Sequence, residues 1–567
     1  MTDPTREGSD ATAALDVPDA AAPATIGRAS AMLAAGTIVS RILGFISLAI
    51  LNYAIGVIGT GADAFALANQ LPNNIYSLVA GGLLSAVIVP QIVKSALHSD
   101  GGTAFINRLV TLGVVVFLPL TLIAVLCAPL LVRLYGGEGM NADAFALTTA
   151  FAYWCLPQIV FYALYSLVGE TLNARGVFGP FTWAPVLNNL VAIAGLILFI
   201  ALFGAGEQHR DAANWTSGQI AVLAGSATLG IAVQAFGLFF FWRRAGLRYR
   251  PDFRWRGVGL GDTGRAAAWV FGMFLVSQVS GVVESRVAFE ASGDDASVNA
   301  LKVGWLMFML PHSVVTVSIV TAYFTRMSGH ARDGRLTSVR DDLVSALKSI
   351  LMIMVFAAIG LAVLSYPFSA IFSQSQYSGV SALAAVYVAF LTGLVPFTIF
   401  FVLLRVYYAI DDTRTAFVIQ VAQTVFYIAG ALIVQALAPK EWIAVGLALV
   451  LSAALAFQAI LSALFLRRRL GPLGTAQVAG RVLWYIGAAI PAAAAGVGVL
   501  ALLGGVGSGA FPVTGLGGAI ASMALTGAVM AAIYAAILLL TRNPELRAFV
   551  QPALARIRPS RRRDPAE

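Results

Sequence analysis

The stretch Arg28–Val57, RASAMLAAGTIVSRILGFISLAILNYAIGV, is an almost unbroken apolar run that starts at one arginine and carries a second, Arg41, near its middle. About 20 helical residues cross the roughly 30 Å of a bilayer's hydrocarbon, so this run reads as a membrane span that carries a charge inside it. Working outward, thirteen more runs of comparable length follow, at 66–93, 109–132, 145–169, 183–204, 218–242, 266–290, 300–324, 346–371, 381–410, 416–437, 443–466, 482–504 and 516–541. The fold class expected is an all-α polytopic membrane protein with 14 transmembrane helices.

The basic residues test that count. Of 36 Lys and Arg, 29 fall in connections on one side of the membrane if the spans alternate as drawn. Arg133, Arg210 and Lys440 fall on the other side, and Arg41, Arg286, Lys302 and Arg405 lie within spans. Positive charge is retained on the cytoplasmic face, and one span more or fewer would scramble the bias. The reading is a multi-pass protein with both termini cytoplasmic.

Composition excludes other classes. Apolar residues make up 59% of the chain and charged residues 11%, with a mean hydropathy of +0.84, outside the soluble range. The net charge of +9 and the arginine–aromatic mix from Trp242 to Arg256 could suggest nucleic acid. The basic residues sit beside span ends, however, where topology and lipid headgroups account for them, so no nucleic-acid partner is expected. Cys127 and Cys155 lie inside spans without C-x-x-C spacing, and His98, His209, His312 and His330 are scattered, so neither disulfide nor metal is implied. Gly259–Gly264 matches G-x-G-x-x-G but sits in a short loop with no strand before it, and no P-loop lysine motif exists. Neither a cofactor nor an enzymatic activity is expected.

Two local patterns recur. Leu71-Pro72-Asn73 is answered by Leu310-Pro311-His312, 239 residues on, and Asn173-Ala174-Arg175 by Tyr408-Ala409-Ile410, 235 residues on. Spans 1–6 and 7–12 therefore read as two copies entering the membrane in the same direction, a parallel repeat. The organisation expected is a disordered lead at 1–27, an N-lobe at 28–242, a basic linker at 243–265 and a C-lobe at 266–466. Spans 13 and 14 at 467–541 and a basic tail at 542–567 complete it. Facing lobes around a central cavity suit alternating access, whereas a passive scaffold would have no use for so many polar groups in its spans.

A charge at the bilayer centre costs roughly 2.5–3.5 kcal/mol on insertion scales, so these groups carry the functional signal. Arg41 is too deep in span 1 to snorkel easily. Asn69, Gln70, Asn73 and Asn74 crowd around Pro72 in span 2, with Asp63 just before them. Glu284 and Arg286 in span 7 and Lys302 in span 8 place polar groups in the equivalent pair of the second lobe. Arg286, Lys302 and Arg405 lie near span ends, where snorkelling competes with a cavity role. The substrate-binding candidates are Arg41, Asp63, Asn69, Asn73, Asn74, Glu284, Arg286 and Lys302, and a cavity so lined would attract an anion such as a phosphate. A pairing of Asp63 with Arg286 is expected to close the outer side. Asp412 is a weaker candidate for ion coupling, against a plain capping role at a helix junction.

Several segments in order resemble the MurJ/MviN family, the lipid II flippases of the MOP transporter superfamily. They are Ser40-Arg41-Ile42-Leu43-Gly44-Phe45, Ala62-Asp63-Ala64-Phe65, Asn69-Gln70-Leu71-Pro72-Asn73, Leu172-Asn173-Ala174-Arg175-Gly176 and Ala184-Pro185-Val186-Leu187-Asn188-Asn189. Leu310-Pro311-His312-Ser313, Tyr408-Ala409 and Asp412-Thr413-Arg414-Thr415 continue the set in the second half. The resemblance implies a bacterial plasma-membrane transporter that moves lipid II, the undecaprenyl-diphosphate-linked muropeptide, to the outer leaflet for cell-wall synthesis. It also implies a cavity role for Arg41, possession of an acidic position at Asp63, and partners among membrane lipids and the cell-wall machinery. Coupling to the membrane potential or a monovalent cation would supply the drive. Where some members carry further arginines in spans 1, 2 and 8, this chain has Ser47, Tyr76, Ser77 and Leu306; Lys302, Arg286 and Glu284 are the residues available to compensate. Rival readings are a flippase for another polyprenyl-linked saccharide, an antiporter of the same superfamily, and a non-transporting scaffold.

Overall fold

A computed structural model describes residues 23–83, 102–175, 177–246, 249–254, 264–373 and 376–547. The first bundle comprises α1 (Pro23–Ile55), α2 (Thr60–Leu83), α3 (Thr103–Leu126), α4 (Ala128–Gly136), α5 (Ala142–Cys155), α6 (Gln158–Ala174), α7 (Phe178–Phe203) and α8 (Ser217–Phe239). The second comprises α9 (Gly264–Phe289), α10 (Val298–Pro311), α11 (Val317–Arg332), α12 (Leu336–Val363) and α13 (Ser365–Ala370). It continues through α14 (Tyr377–Leu391), α15 (Leu394–Ala409), α16 (Thr413–Leu437) and α17 (Ile443–Leu470), with α18 (Thr475–Leu502) and α19 (Gly515–Leu540) beyond it. The described residues contain helices and connections, without strands.

Twelve helical stretches are long and apolar enough to cross a membrane, and the α14–α15 pair, bent by 42°, makes a thirteenth. The span expected at 66–93 falls on α2, whose amides make it less apolar and whose described part ends at Leu83. The expectation of fourteen therefore turns on α2. Helix α1 begins at Pro23, five residues before the expected start, so the end of the lead expected to be disordered is helical from Pro23, and residues 1–22 lie outside the described ones. The glycine run at 259–263 and the tail from 548 also lie outside them.

Local chemistry sets the boundaries. Asn141 caps α5 by accepting from the Ala144 N–H at 2.8 Å, and Thr216 with Gln219 forms a capping box on α8. The span of α5 and α6 breaks at Leu156-Pro157, where proline removes a backbone donor, and that of α14 and α15 breaks at Thr392-Gly393. These breaks fall at the same place in the proposed repeat. In span 8 the helix widens to a π-turn at His312–Thr316 directly after Pro311, a distortion common at functional sites.

Each bundle has its own interior. Phe65, Phe151, Phe199 and Trp215 pack edge to face or stacked in the first, while Phe308, Leu347, Ile350 and Tyr387 are buried in the second. Helices α18 and α19 attach to α12, where the Tyr534 hydroxyl donates to the Met352 carbonyl at 2.8 Å and stacks on Phe356. Large apolar side chains such as Leu126, Leu437 and Leu540 are instead exposed, the inverse of a soluble surface and what a lipid-facing belt requires. Part of the basic linker is ordered against α3. Arg108 Nε donates to Asp252 at 3.0 Å and the Arg250 N–H to Asn107. Arg254, then Arg108, hold the Asp252 carboxyl below the usual carboxylate range, so acidification to the ordinary carboxylate pKa leaves the clasp intact; it opens only as pH falls through that depressed value.

Candidate functional site

The bundles meet at one end. Asp63, in the first turn of α2, is fully buried; its carboxylate accepts from the Ser292 hydroxyl at 2.6 Å and from the Asn299 N–H at 2.8 Å. The Asn299 side chain donates back to Asn52 Oδ1 at 2.9 Å and to the Val57 carbonyl at 3.2 Å. Outside this layer, Arg210 pairs with Asp294 at 2.9 Å, and its carbonyl accepts from the Gly61 N–H at 2.9 Å and the Thr60 hydroxyl at 3.1 Å. Gly61 is required here, because a Cβ would run into the His209 carbonyl and the Trp215 ring. Gly61→Ala is accordingly expected to lift the 204–216 connection off α2 and lower thermal stability by several degrees, read by unfolding in detergent.

The expected Asp63–Arg286 pairing is corrected: the two make no ion pair. Both Asp63 oxygens are engaged by Ser292 and Asn299, and the Arg286 side chain lies against Gly137 in the first bundle. Asp63 and Arg286 are also not among the residues lining the cavities described next. The interface thus uses polar neutral partners that the sequence did not flag. Ser292, Asn299 and Asn52 are visible in retrospect only as lone polar residues at span ends.

Below the seal the bundles enclose space. A cavity of about 320 Å³ is lined by Gln70, Asn73, Asn74, Glu284, Lys302 and Trp305, from α2, α9 and α10. An adjoining one of about 510 Å³ shares Trp305 and Leu306 and is lined by Arg41, Phe45, Ser313 and Phe372. Arg41 Nη1 donates to the Ser313 hydroxyl across the cleft, and Phe45 packs against Phe372 with centroids 4.8 Å apart. Glu284 accepts from Tyr427 at 2.9 Å, and the Gln278 side chain donates to the Asn74 carbonyl at 2.9 Å. One cavity is therefore amide-lined with one acid and one base, and the other is apolar with a guanidinium at its wall.

Of the sequence candidates, Arg41, Asn73, Asn74, Glu284 and Lys302 come together here. Asn69 does not: it accepts from Gln158 at 3.2 Å and faces a separate cavity of about 200 Å³ inside the first bundle. Asp412 accepts from the Thr415 N–H and hydroxyl and pairs with Arg469 at 3.0 Å, which is the capping role in full. Trp305, Ser313 and Tyr427 were missed, since aromatic and hydroxyl residues carry no signal against an apolar span. No cluster of His, Cys, Asp and Glu suited to a metal occurs among the described residues.

Two helical bundles sealed at one end around a polar cavity, with lipid-facing flanks, define a multi-pass membrane transporter. The fold is shared with a multidrug-resistance MATE transporter of the MOP superfamily in an inward-facing conformation, at TM-score 0.62 and 17% identity over 77% of this chain and 96% of that one. It is shared also with a lipid II flippase MurJ solved in an inward closed conformation, at TM-score 0.68 and 19% identity over 89% of this chain and 99% of that one. The family model for lipid II flippase MurJ matches residues 51–528, and the chain belongs to that family. Among its relatives, a probable lipid II flippase MurJ of Haemophilus influenzae is 27% identical over 400 residues, 67% of this chain and 75% of that protein. One of Vibrio cholerae is 25% identical over 401 residues, 68% of this chain and 73% of that protein.

Proposed function

We propose that this protein carries lipid II from the cytoplasmic to the outer leaflet of the bacterial plasma membrane by alternating access. The observation that carries the reading is Arg41, a guanidinium held at the mid-membrane mouth between bundles beside an apolar cavity. A polyprenyl diphosphate has the matching chemistry. Its phosphates offer the oxygens that a planar guanidinium binds in pairs, and its chain lies against apolar wall and lipid. The sugar–peptide head occupies the amide-lined space. Family membership supports the choice of lipid.

In this reading the sealed end, which carries Arg210, faces outward, as the distribution of basic residues requires, so the protein stands closed to the outside. Carrying an anion outward yields roughly 2.3 kcal/mol per charge per 100 mV of potential, positive outside. The orientation is checked by cysteine labelling in a background free of Cys127 and Cys155. Glu138→Cys and Asp294→Cys should react with an impermeant reagent from outside, and Arg335→Cys only after permeabilisation; a reversed pattern removes the topology. The function is tested by depleting the protein and assaying leaflet distribution of lipid II. Accumulation in the inner leaflet is expected, and unchanged distribution would refute the reading.

A further inference from the structure

Lys302 is the one cation of the amide-lined cavity, and it makes neither an ion pair nor a hydrogen bond to another described residue. Glu284 lines the same space without touching it, its carboxylate turned to the Tyr427 hydroxyl. Gln70 and Asn73 line it with side-chain amides that likewise bond to no described residue. An ammonium left without a partner among apolar helices is expensive unless something anionic meets it. Its neighbour in the adjoining cavity, Arg41, is anchored through Ser313 on the same span. From Lys302 to Ser313 is eleven residues, so their backbone positions lie roughly 16 Å apart along the helix.

The two cations line different cavities, Arg41 the apolar one and Lys302 the amide-lined one, so a diphosphate seated at Arg41 leaves Lys302 to another group. Two cations so spaced, joined by neutral amides and the edge of Trp305, match a ligand with two separate anionic groups linked by an uncharged polar segment. Resting on the flippase reading above, we infer that Lys302 binds a second acidic group of the head, a carboxylate of its peptide, while Arg41 holds the diphosphate. The backbone separation equals about five extended residues, or a sugar followed by a shorter peptide. Glu284, which lines the same cavity from another helix, accepts from hydroxyl and amide N–H groups of the linking segment and repels a carboxylate that has not reached Lys302. The cavity therefore selects lipid-linked heads that carry an acid over neutral saccharides on the same lipid. Lys302 is thus the residue that sets substrate class.

The test uses the full chain purified into nanodiscs and titrated with two probes. One is undecaprenyl-diphosphate bearing a disaccharide with its peptide carboxylates free; the other is the same lipid bearing a neutral disaccharide only. The native protein should bind the acidic probe at least tenfold more tightly. Lys302→Gln should erase that preference while leaving affinity for the neutral probe within about twofold, and Lys302→Arg should retain it. Arg41→Ala should weaken both probes alike, which separates the two subsites. Equal binding of both probes by the native protein overturns the inference, as does a Lys302→Gln protein that loses both equally. If the native protein binds neither, the flippase reading itself fails and this inference goes with it.

Discussion

Arg41→Ala is expected to abolish translocation while the protein still inserts and folds. Removing a mid-membrane charge eases insertion, and the side chain's one interbundle bond, to the Ser313 hydroxyl, sits at an open wall rather than in the core. What is lost is the phosphate partner. Truncating one member of a desolvated charge pair costs about 2–5 kcal/mol, which at the upper end is a thousandfold or more in affinity. Arg41→Lys keeps the charge and loses the planar fork, so partial activity is expected. Complementation of a strain lacking the native protein measures both. Full growth with Arg41→Ala at normal abundance would show that the phosphates are held elsewhere.

The prediction leans on Arg41 more heavily than a family pattern alone would, because among the described residues no other arginine lines these cavities. Ser47, where some members have arginine, lines the internal cavity of the first bundle, and Leu306 faces the shared wall of the two central cavities. The positive charge on span 8 sits instead at Lys302, four residues and so one helical turn from Leu306, on the same face. The cationic character of the site is redistributed rather than absent.

How far the sequence could be read depended on the kind of signal. Spans were legible because hydrocarbon thickness imposes a length, and their pairing because Pro72 and Pro311 recur at a fixed offset. Arg41 and Lys302 stood out because charge in a span is costly and so needs a cause. The seal was not legible. Its partners, Ser292, Asn299 and the carbonyls of Gly56 and Val57, are neutral or backbone groups that cost little to expose at a span end. The charged pair expected there, Asp63 with Arg286, followed from sign alone, and hydrogen-bond geometry decided otherwise. Asn69 was misplaced for a related reason. Gln70, which lines the central cavity, is turned 100° from it, and Asn73, on nearly the same face one turn further along, also lines that cavity, while Asn69 is held by Gln158 inside the first bundle.

The same seal yields the second large effect. Asp63→Ala should shift the protein out of the outward-closed state and uncouple transport, with little change in overall folding. The substitution leaves the buried Asn299 N–H unpaired, costing about 1–3 kcal/mol, and the half-buried Ser292 hydroxyl unpaired at a smaller cost. Both donors belong to the second bundle and regain water when the outer side opens, so the penalty falls on the closed state alone. A closed state favoured by 99 to 1 is held by only about 2.7 kcal/mol, within reach of losing both bonds. Asp63→Asn should be milder, since its oxygen still accepts from Asn299 and its amide can donate to the serine hydroxyl. The readout is labelling of Ser285→Cys, which lines the cavity, by an impermeant reagent applied from outside in a background lacking Cys127 and Cys155. Labelling should be slow with Asp63 intact, intermediate with Asn and at least tenfold faster with Ala. Equal rates for all three would mean that the Arg210–Asp294 layer holds the gate shut without Asp63.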